Sequence, residues 1–363
     1  MKKIDVYILL MFLKTFFFSM LLFTLIAVAV DASEKAEDFI KTGFSTSEII
    51  KEYYYGFVPH IISLLFPVFV LISVVFFTSR LALRSEIIAM LSTGMSLRRF
   101  LFPYWIGGTI LALMLGLSNH FLVPAANRIR TDFENRHINM GRVSNQSLQY
   151  LTNIHFRIDS VSYAGIRSFD TVTGLGQGFF MEKLHQHKIV YNLRSEQIVW
   201  DKVKKEWRLR QVVERRINGV KENISYKDSM KIILGYLPSD LVSDELMKEK
   251  LNTPALNRLI NQERRRGSEG LAALQFERYR RDAYALSVIL MTLIAAILAA
   301  RKIRGGSGLH LALAFIIGVA FILTDKFSMV FSTKGNFPPL IAAWLPCFIF
   351  SIVALYLYKK APK

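Results

Sequence analysis

The chain has 363 residues, 52% of them hydrophobic and 20% charged, with a mean hydropathy of +0.31; this is too apolar for an ordinary soluble domain and makes a membrane protein the first hypothesis. A net charge of +18 would suit nonspecific phosphate binding, but the cations are spread over membrane-flanking loops and one large insert, with no nucleic-acid motif beside them. The single cysteine, Cys347, excludes an intrachain disulfide.

The first apolar run, Val6–Val30, is about twice the length of a signal-peptide core and leads into DASEKAEDF rather than a small-residue cleavage site, which predicts a retained span. Lys14 falls in its first half, where a long side chain can snorkel or line a cavity. Further runs at Phe57–Ser79, Phe100–Val123, Ala283–Ala300, Leu309–Leu323 and Leu340–Tyr358 approach or exceed the ~20 residues that cross a ~30 Å hydrocarbon core. Six spans are therefore expected, the fifth extending to Val330.

Between spans two and three lies LRSEIIAMLSTGMSLRRF, from Leu83 to Phe100. Ser85 is placed to cap a short helix, with Glu86 in its first turn where the helix dipole favours an anion. Ile87, Met90, Leu91 and Met95 form an apolar stripe while Glu86, Ala89 and Thr93 point elsewhere. Gly94 is placed to stop this helix, and Ser96 to cap the next one through Arg98 and Arg99. Two readings follow: an amphipathic connector lying on the membrane face, or a knob that docks into a partner, with small Ala89 and Gly94 allowing close approach and Glu86 offering a charged anchor.

From Pro124 to Phe276 the apolar runs stop. YLTNIHFRID, SVSYAGIRSF, HKIVYNLRSEQIVWD and EWRLRQVVERRI alternate with period two and are punctuated by TGLGQG, DKVKKE and INGVKE turns, which predicts an all-β domain closed into a sandwich or jelly roll. After Pro238 the pattern turns helical: SDLVSDELMKEKL, then a Thr253–Pro254 start and ALNRLINQERRRG ending at Gly267. Arg264–Arg266 make a solvated helix end or a contact for anionic headgroups. The expected domains are residues 1–123 with a coupling segment near 84–95, residues 124–276, and residues 277–363.

Sidedness follows from basic residues flanking short loops. Lys2 and Lys3, then Arg80, Arg84, Arg98 and Arg99, then Arg301, Lys302 and Arg304, and finally Lys359, Lys360 and Lys363 all fall on one side, expected to be cytoplasmic together with both termini. The large insert lies opposite despite its 25 Lys and Arg against 17 Asp and Glu, because long domains translocate largely regardless of charge.

Catalytic signatures are missing. The sequence holds no P-loop, no His-Glu-x-x-His and no Gly-x-Ser-x-Gly. GLGQG at Gly174–Gly178 suits a hairpin turn better than a phosphate. His185 and His187 alternate on a strand-like stretch without metal-ligand spacing. Asn145-Gln-Ser and Asn223-Ile-Ser match the glycosylation sequon at chance level. An enzyme reading would rest on His120 and Asn119 at the end of span three as a lipid-modifying site, without a nucleophile; a structural reading would make the chain an anchor that tethers envelope components.

Across nearly its whole length the chain resembles the lipopolysaccharide export permease family, LptF/LptG. The resemblance is carried by DASEKAEDF after span one, EIIAMLSTGMS, PAANR at Pro124–Arg128, the β insert, and FPPLIAAWLP at Phe337–Pro346. It leans toward the LptG branch through Asp31 to Asp38, and departs from the family at Ala285, where many members place a proline. The resemblance implies one permease half of an ATP-driven exporter in the bacterial inner membrane, with the β domain periplasmic. It implies further that this chain binds no cofactor and that ATP is hydrolysed by a separate cytosolic ATPase dimer. The other implied partners are a second permease, a periplasmic bridge protein, a single-span regulatory subunit and lipopolysaccharide. Arg84, Glu86, Ala89, Met90, Leu91 and Gly94 then form the coupling helix, and Lys14, Asp31, Lys35, Lys41 and Lys326 are candidates for contact with lipid phosphates, each equally readable as a solvated or snorkelling side chain.

Overall fold

The computed structural model describes residues 2–138, 150–159, 161–170, 173–185, 188–201, 204, 206–219, 221–234, 237–238, 247–266, 270–301 and 308–361. Lys302, Arg304 and Lys363, His187, Asn145, Gly267, the whole of SDLVSDEL and the side chains of Arg265 and Arg266 lie outside the described residues.

Six helices are long and apolar enough to cross a bilayer: α1 Lys3–Glu34, α3 Thr46–Leu83, α5 Leu97–Ile138, α8 Leu271–Ala299, α9 Gly308–Lys334 and α10 Pro339–Lys360. Short helices complete the helical set: α2 Ala36–Thr42, α4 Glu86–Ser92, α6 Met247–Lys250 and α7 Thr253–Arg266. Three spans begin or end well beyond the hydropathy expectation. α3 starts eleven residues before Phe57 and α5 runs fifteen residues past Val123; α8 starts twelve residues before Ala283, because its first turns, LAALQFERYRRD, carry charge yet are helical. α9 ends at Lys334, four residues past the expected Val330. The contacts divide the chain into one unit of Met1–Phe133, Lys248–Asn257 and Ala272–Lys363, and a second of Glu134–Met247 and Arg258–Leu271.

Inside the first unit, hydrocarbon is as apolar as leucine, so helices associate through close packing rather than through a hydrophobic drive. Small residues supply that closeness. A Cβ on Gly107 of α5 would sit 2.5 Å from the Phe12 ring of α1, and Gly108 lies against Thr292 of α8. Phe12 stacks on Phe77 of α3 with centroids 6.0 Å apart, and Phe77 on Tyr104 of α5 at 5.6 Å. The Tyr104 hydroxyl meets Thr78 Oγ1 at 3.0 Å, which satisfies both buried groups. Pro67 interrupts the hydrogen-bond ladder within α3, and beside it Tyr284 Oη of α8 donates to the Leu64 carbonyl at 2.6 Å. α3 and α8 are the most enclosed spans, while α1, α9 and α10 keep most of their apolar surface uncovered by this chain.

The second unit holds a six-stranded antiparallel sheet: β1 Tyr150–Arg157, β2 Ser162–Asp170, β3 Leu175–His185, β4 Lys188–Asp201, β5 Glu206–Asn218 and β6 Lys221–Ile232. The strands pair strictly in sequence order, so the all-β domain is a meander. β3 and β6 exceed the four stretches expected. TGLGQG holds only its turn at Gly174 and then enters β3, where Gly176 leaves room for Ile198 and Gly178 adopts φ 69°. One sheet face buries Ile166, Phe169, Phe179, Leu193, Ile198, Leu209 and Trp207. Trp207 is fully enclosed, edge-on to Trp200 at 5.0 Å and to Phe169 at 5.8 Å.

On the same sheet Glu214 is buried. Its carboxylate accepts from Lys227 Nζ at 2.8 Å and Arg216 Nη2 at 2.7 Å, and these hydrogen bonds hold its pKa down at about 2. A depressed carboxylate stabilises the fold while ionised, so this contribution is complete above the unfolded value of about 4.3 and is lost as pH falls from there through 2. E214Q should therefore make the acid loss of the β domain shallower over that window. The readout is fluorescence of Trp200 and Trp207 in a W105F/W344F background. Glu206, lowered by Lys231 and Arg208, and Asp159, lowered by the Val161 and Ser162 N–H groups, contribute acid sensitivity of the same sign and are untouched by E214Q.

Candidate coupling helix and charged span ends

α3 ends at Leu83, and the chain reverses through Ser85 in the left-handed region at φ 61°. Ser85 makes no side-chain cap bond, so its expected role as a cap is replaced by a backbone turn. Glu86 opens α4, its Oε1 3.9 Å from Arg84 Nη1. The helix is closed by Gly94 at φ 85°, whose N–H donates to the Leu91 carbonyl at 3.0 Å. Ser96 then caps α5, its hydroxyl accepting from the Arg99 N–H at 3.4 Å.

The apolar stripe of α4 turns inward. Ile87 is fully buried, and Met90, Leu91 and Met95 pack against the helical core. Of the six residues assigned to coupling, Met90 and Leu91 therefore seat the helix, whereas Arg84, Ala89 and Gly94 are exposed and Glu86 is half-buried. The outer face also carries Ile88, half of whose surface is exposed. Sequence reasoning passed over Ile88; its signal was an isoleucine standing off the stripe.

The five candidate lipid contacts separate into different settings. Asp31 is buried and pairs with Lys35 Nζ at 3.2 Å while accepting from Tyr53 Oη at 3.0 Å. Lys35 also bonds Tyr53 Oη and sits 4.5 Å from the ring centroid. Both are thus held in an internal network walled by Phe39, Tyr54, Phe57 and Phe133. Lys41 is exposed beside Glu37 at 3.9 Å, and Lys14 and Lys326 are exposed. Lys14 lies seventeen residues before Asp31 on α1, roughly 25 Å along the axis, so the structure does not bring it to the others.

A charged network at the start of α8 was missed. Arg280 Nε lies 3.0 Å from each oxygen of Asp325 on α9, with Nη2 2.7 Å from Oδ2. Arg281 is buried, bonding Glu277 at 3.2 Å, Thr253 Oγ1 at 3.0 Å and the Leu251 carbonyl at 2.9 Å. His120 meets Thr253 Oγ1 through Nδ1 at 2.7 Å and Asp282 through Nε2 at 3.1 Å. Asn119 accepts from Ser63 Oγ at 2.7 Å. Both His120 nitrogens are therefore engaged, and the only hydroxyl they reach is buried under Arg281, an arrangement that ties helices together rather than exposing a nucleophile. No group of three or more His, Cys, Asp or Glu arranged to hold a metal occurs among the described residues.

Six helices apolar and long enough to span a bilayer, together with a six-stranded antiparallel sheet, define a multi-pass membrane protein. The family model for the lipopolysaccharide export system permease LptF/LptG matches residues 6–360. The chain belongs to that family and is a transport permease of it. A search of curated proteins gives no match.

Proposed function

We propose that this chain is one permease half of an ATP-driven exporter that withdraws lipopolysaccharide from the outer leaflet of the inner membrane and delivers it to a periplasmic bridge. The observation that carries the reading is α4: a seven-residue helix whose inner stripe is anchored in the core and whose outer face presents Ile88, Ala89, Thr93 and Gly94. Exposed Ile88 beside small Ala89 and Gly94 gives a docking knob an apolar contact with room for close approach.

The energetic need supports the same reading. A glycolipid with several acyl chains carries dozens of methylenes at ~0.8 kcal/mol each, so crossing water unaided would cost tens of kcal/mol. The apolar surfaces that α1 and α9 leave uncovered suit a lateral opening shared with a second permease, at whose outer rim the exposed Lys41 and Lys326 would meet lipid phosphates, while Lys14, roughly 25 Å along α1 from Asp31, stands apart from that rim. Lys35 and Asp31 would instead brace the outer end of α1. In this reading ATP is hydrolysed by a cytosolic ATPase dimer seated against α4, both termini are cytoplasmic and the β domain is periplasmic. A single-span regulatory subunit completes the assembly.

The test is co-purification of the chain with its cytosolic ATPase. A89W and E86K should each abolish or sharply reduce association and stimulated ATPase activity while the chain still inserts and folds. Retention of both, with lipid export intact, would reject the docking role.

A further inference from the structure

Away from α4 and from the uncovered faces of α1 and α9, a groove of about 380 Å³ runs between α5, α8 and α10, lined by Leu101, Leu290, Leu293, Ile297, Ala354 and Tyr358. Its size is that of a ligand pocket rather than a packing defect. The α8 residues fall at i, i+3 and i+7, and Ala354 and Tyr358 at i and i+4, so the groove follows the helix axes for about two turns, ~10 Å. Small residues on α10 leave the space: Ser351 and Ala354 line the groove beside Leu355 and Tyr358.

One end of the groove is cationic. Arg98 Nε donates to Tyr358 Oη at 3.1 Å, and Arg301, one turn beyond Ile297, donates to the Lys360 carbonyl. Lys360 itself turns away, its Nζ 4.7 Å from the ring centroid of Tyr356 on the other face of α10. The partners of the two arginines are a phenol and a carbonyl; neither neutralises charge. Nearby arginines at the same helix ends behave differently, Arg99 pairing with Asp5 at 2.5 Å and Arg84 with Glu86. Among the described residues no carboxylate is within ion-pair distance of Arg98, Arg301 or Lys360. A tyrosine hydroxyl marks the boundary between the apolar groove and the cations, the position where interfacial tyrosines meet headgroups.

We propose that this groove holds one acyl chain of an anionic glycerophospholipid from the surrounding leaflet, with its phosphate between Arg98 and Arg301 and against the Tyr358 hydroxyl. Charge complementarity selects this occupant over a zwitterionic lipid, because basic pockets between spans gain affinity for each cation facing an anionic headgroup. The site uses none of the residues assigned above to coupling or to the lateral opening, so it stands whether or not the exporter reading holds.

The test uses the full chain with its native partners, reconstituted in nanodiscs of equal phosphatidylglycerol and phosphatidylcholine and then transferred to detergent, with retained lipid counted by native mass spectrometry. Wild type should retain phosphatidylglycerol in preference. R98Q and R301Q should each lower that preference about fivefold, and A354F, which fills the groove, should remove one retained lipid per complex. Equal retention of both lipids by wild type, or an unchanged lipid count in A354F with unchanged preference in R98Q and R301Q, overturns the proposal. If A354F fails to assemble, the two arginine variants and S351L, at a serine that also lines the groove, decide it.

Discussion

Replacement of Arg280 by alanine is expected to destabilise the helical unit by about 3–5 kcal/mol, the cost of leaving a buried carboxylate without its partner. Asp325 is only 4% exposed and receives three hydrogen bonds of 2.7 to 3.0 Å from this one guanidinium. Membrane surroundings raise the stakes, because water cannot take over the lost contacts. D325N placed on the R280A background should recover part of the loss by removing the charge, and R280M/D325L should come near wild type, since an apolar pair of similar volume needs no solvation. Cys347 gives a direct measurement. It is the single cysteine, it is buried on α10, and its Sγ lies 3.1 Å from the Ala283 carbonyl one turn beyond Arg280. Maleimide labelling of Cys347 should therefore accelerate strongly in R280A and little in the double variant. Wild-type labelling in R280A would show that the pair does not hold α8 to its neighbours.

The parts of the fold legible in the sequence are those governed by one-body energies. Runs of about twenty apolar residues have one inexpensive environment, so all six spans were visible. The stripe of Ile87, Met90, Leu91 and Met95 was visible for the same reason, since periodicity alone tells which face is buried. What stayed hidden depends on partners. Hydropathy scores ERYRRD as a cost of desolvation and cannot see Asp325 some 45 residues later along the chain, so α8 seemed to start at Ala283. β3 was masked because Gly174, Gly176 and Gly178 resemble a turn, although Gly176 is there for the close approach of Ile198 and Gly178 for its positive φ. β6, KENISYKDSMKI, has one edge unpaired by any described strand and is largely exposed, so it lacks the alternation that marks a half-buried strand. The same limit applied at Asp31 and Lys35: their charges were visible, but their mutual pairing with Tyr53 was a matter of geometry.

Ile87→Ala should separate the seat of α4 from its outer face. Ile87 is fully buried, and truncating such a side chain costs about 2–5 kcal/mol. A seven-residue helix has no stability of its own, so the loss falls on α4 itself: opening becomes more frequent by about 30-fold or more, even at the low end of that range. Hydrogen exchange at residues 89–92 should rise accordingly in the free chain, before any partner is added. Ile88→Ala gives the complementary case. Its side chain is half exposed and outward, so exchange should stay at the wild-type level while association with the ATPase weakens. Both variants should lose stimulation, one because the knob no longer holds its shape and the other because it no longer fills its socket. Crossing either with A89W should add nothing further to the loss of association, since the interface is already broken. Wild-type exchange and full stimulation in I87A would mean that α4 is held by something other than its buried stripe, and the link between the membrane core and the proposed ATPase contact would have to be sought elsewhere.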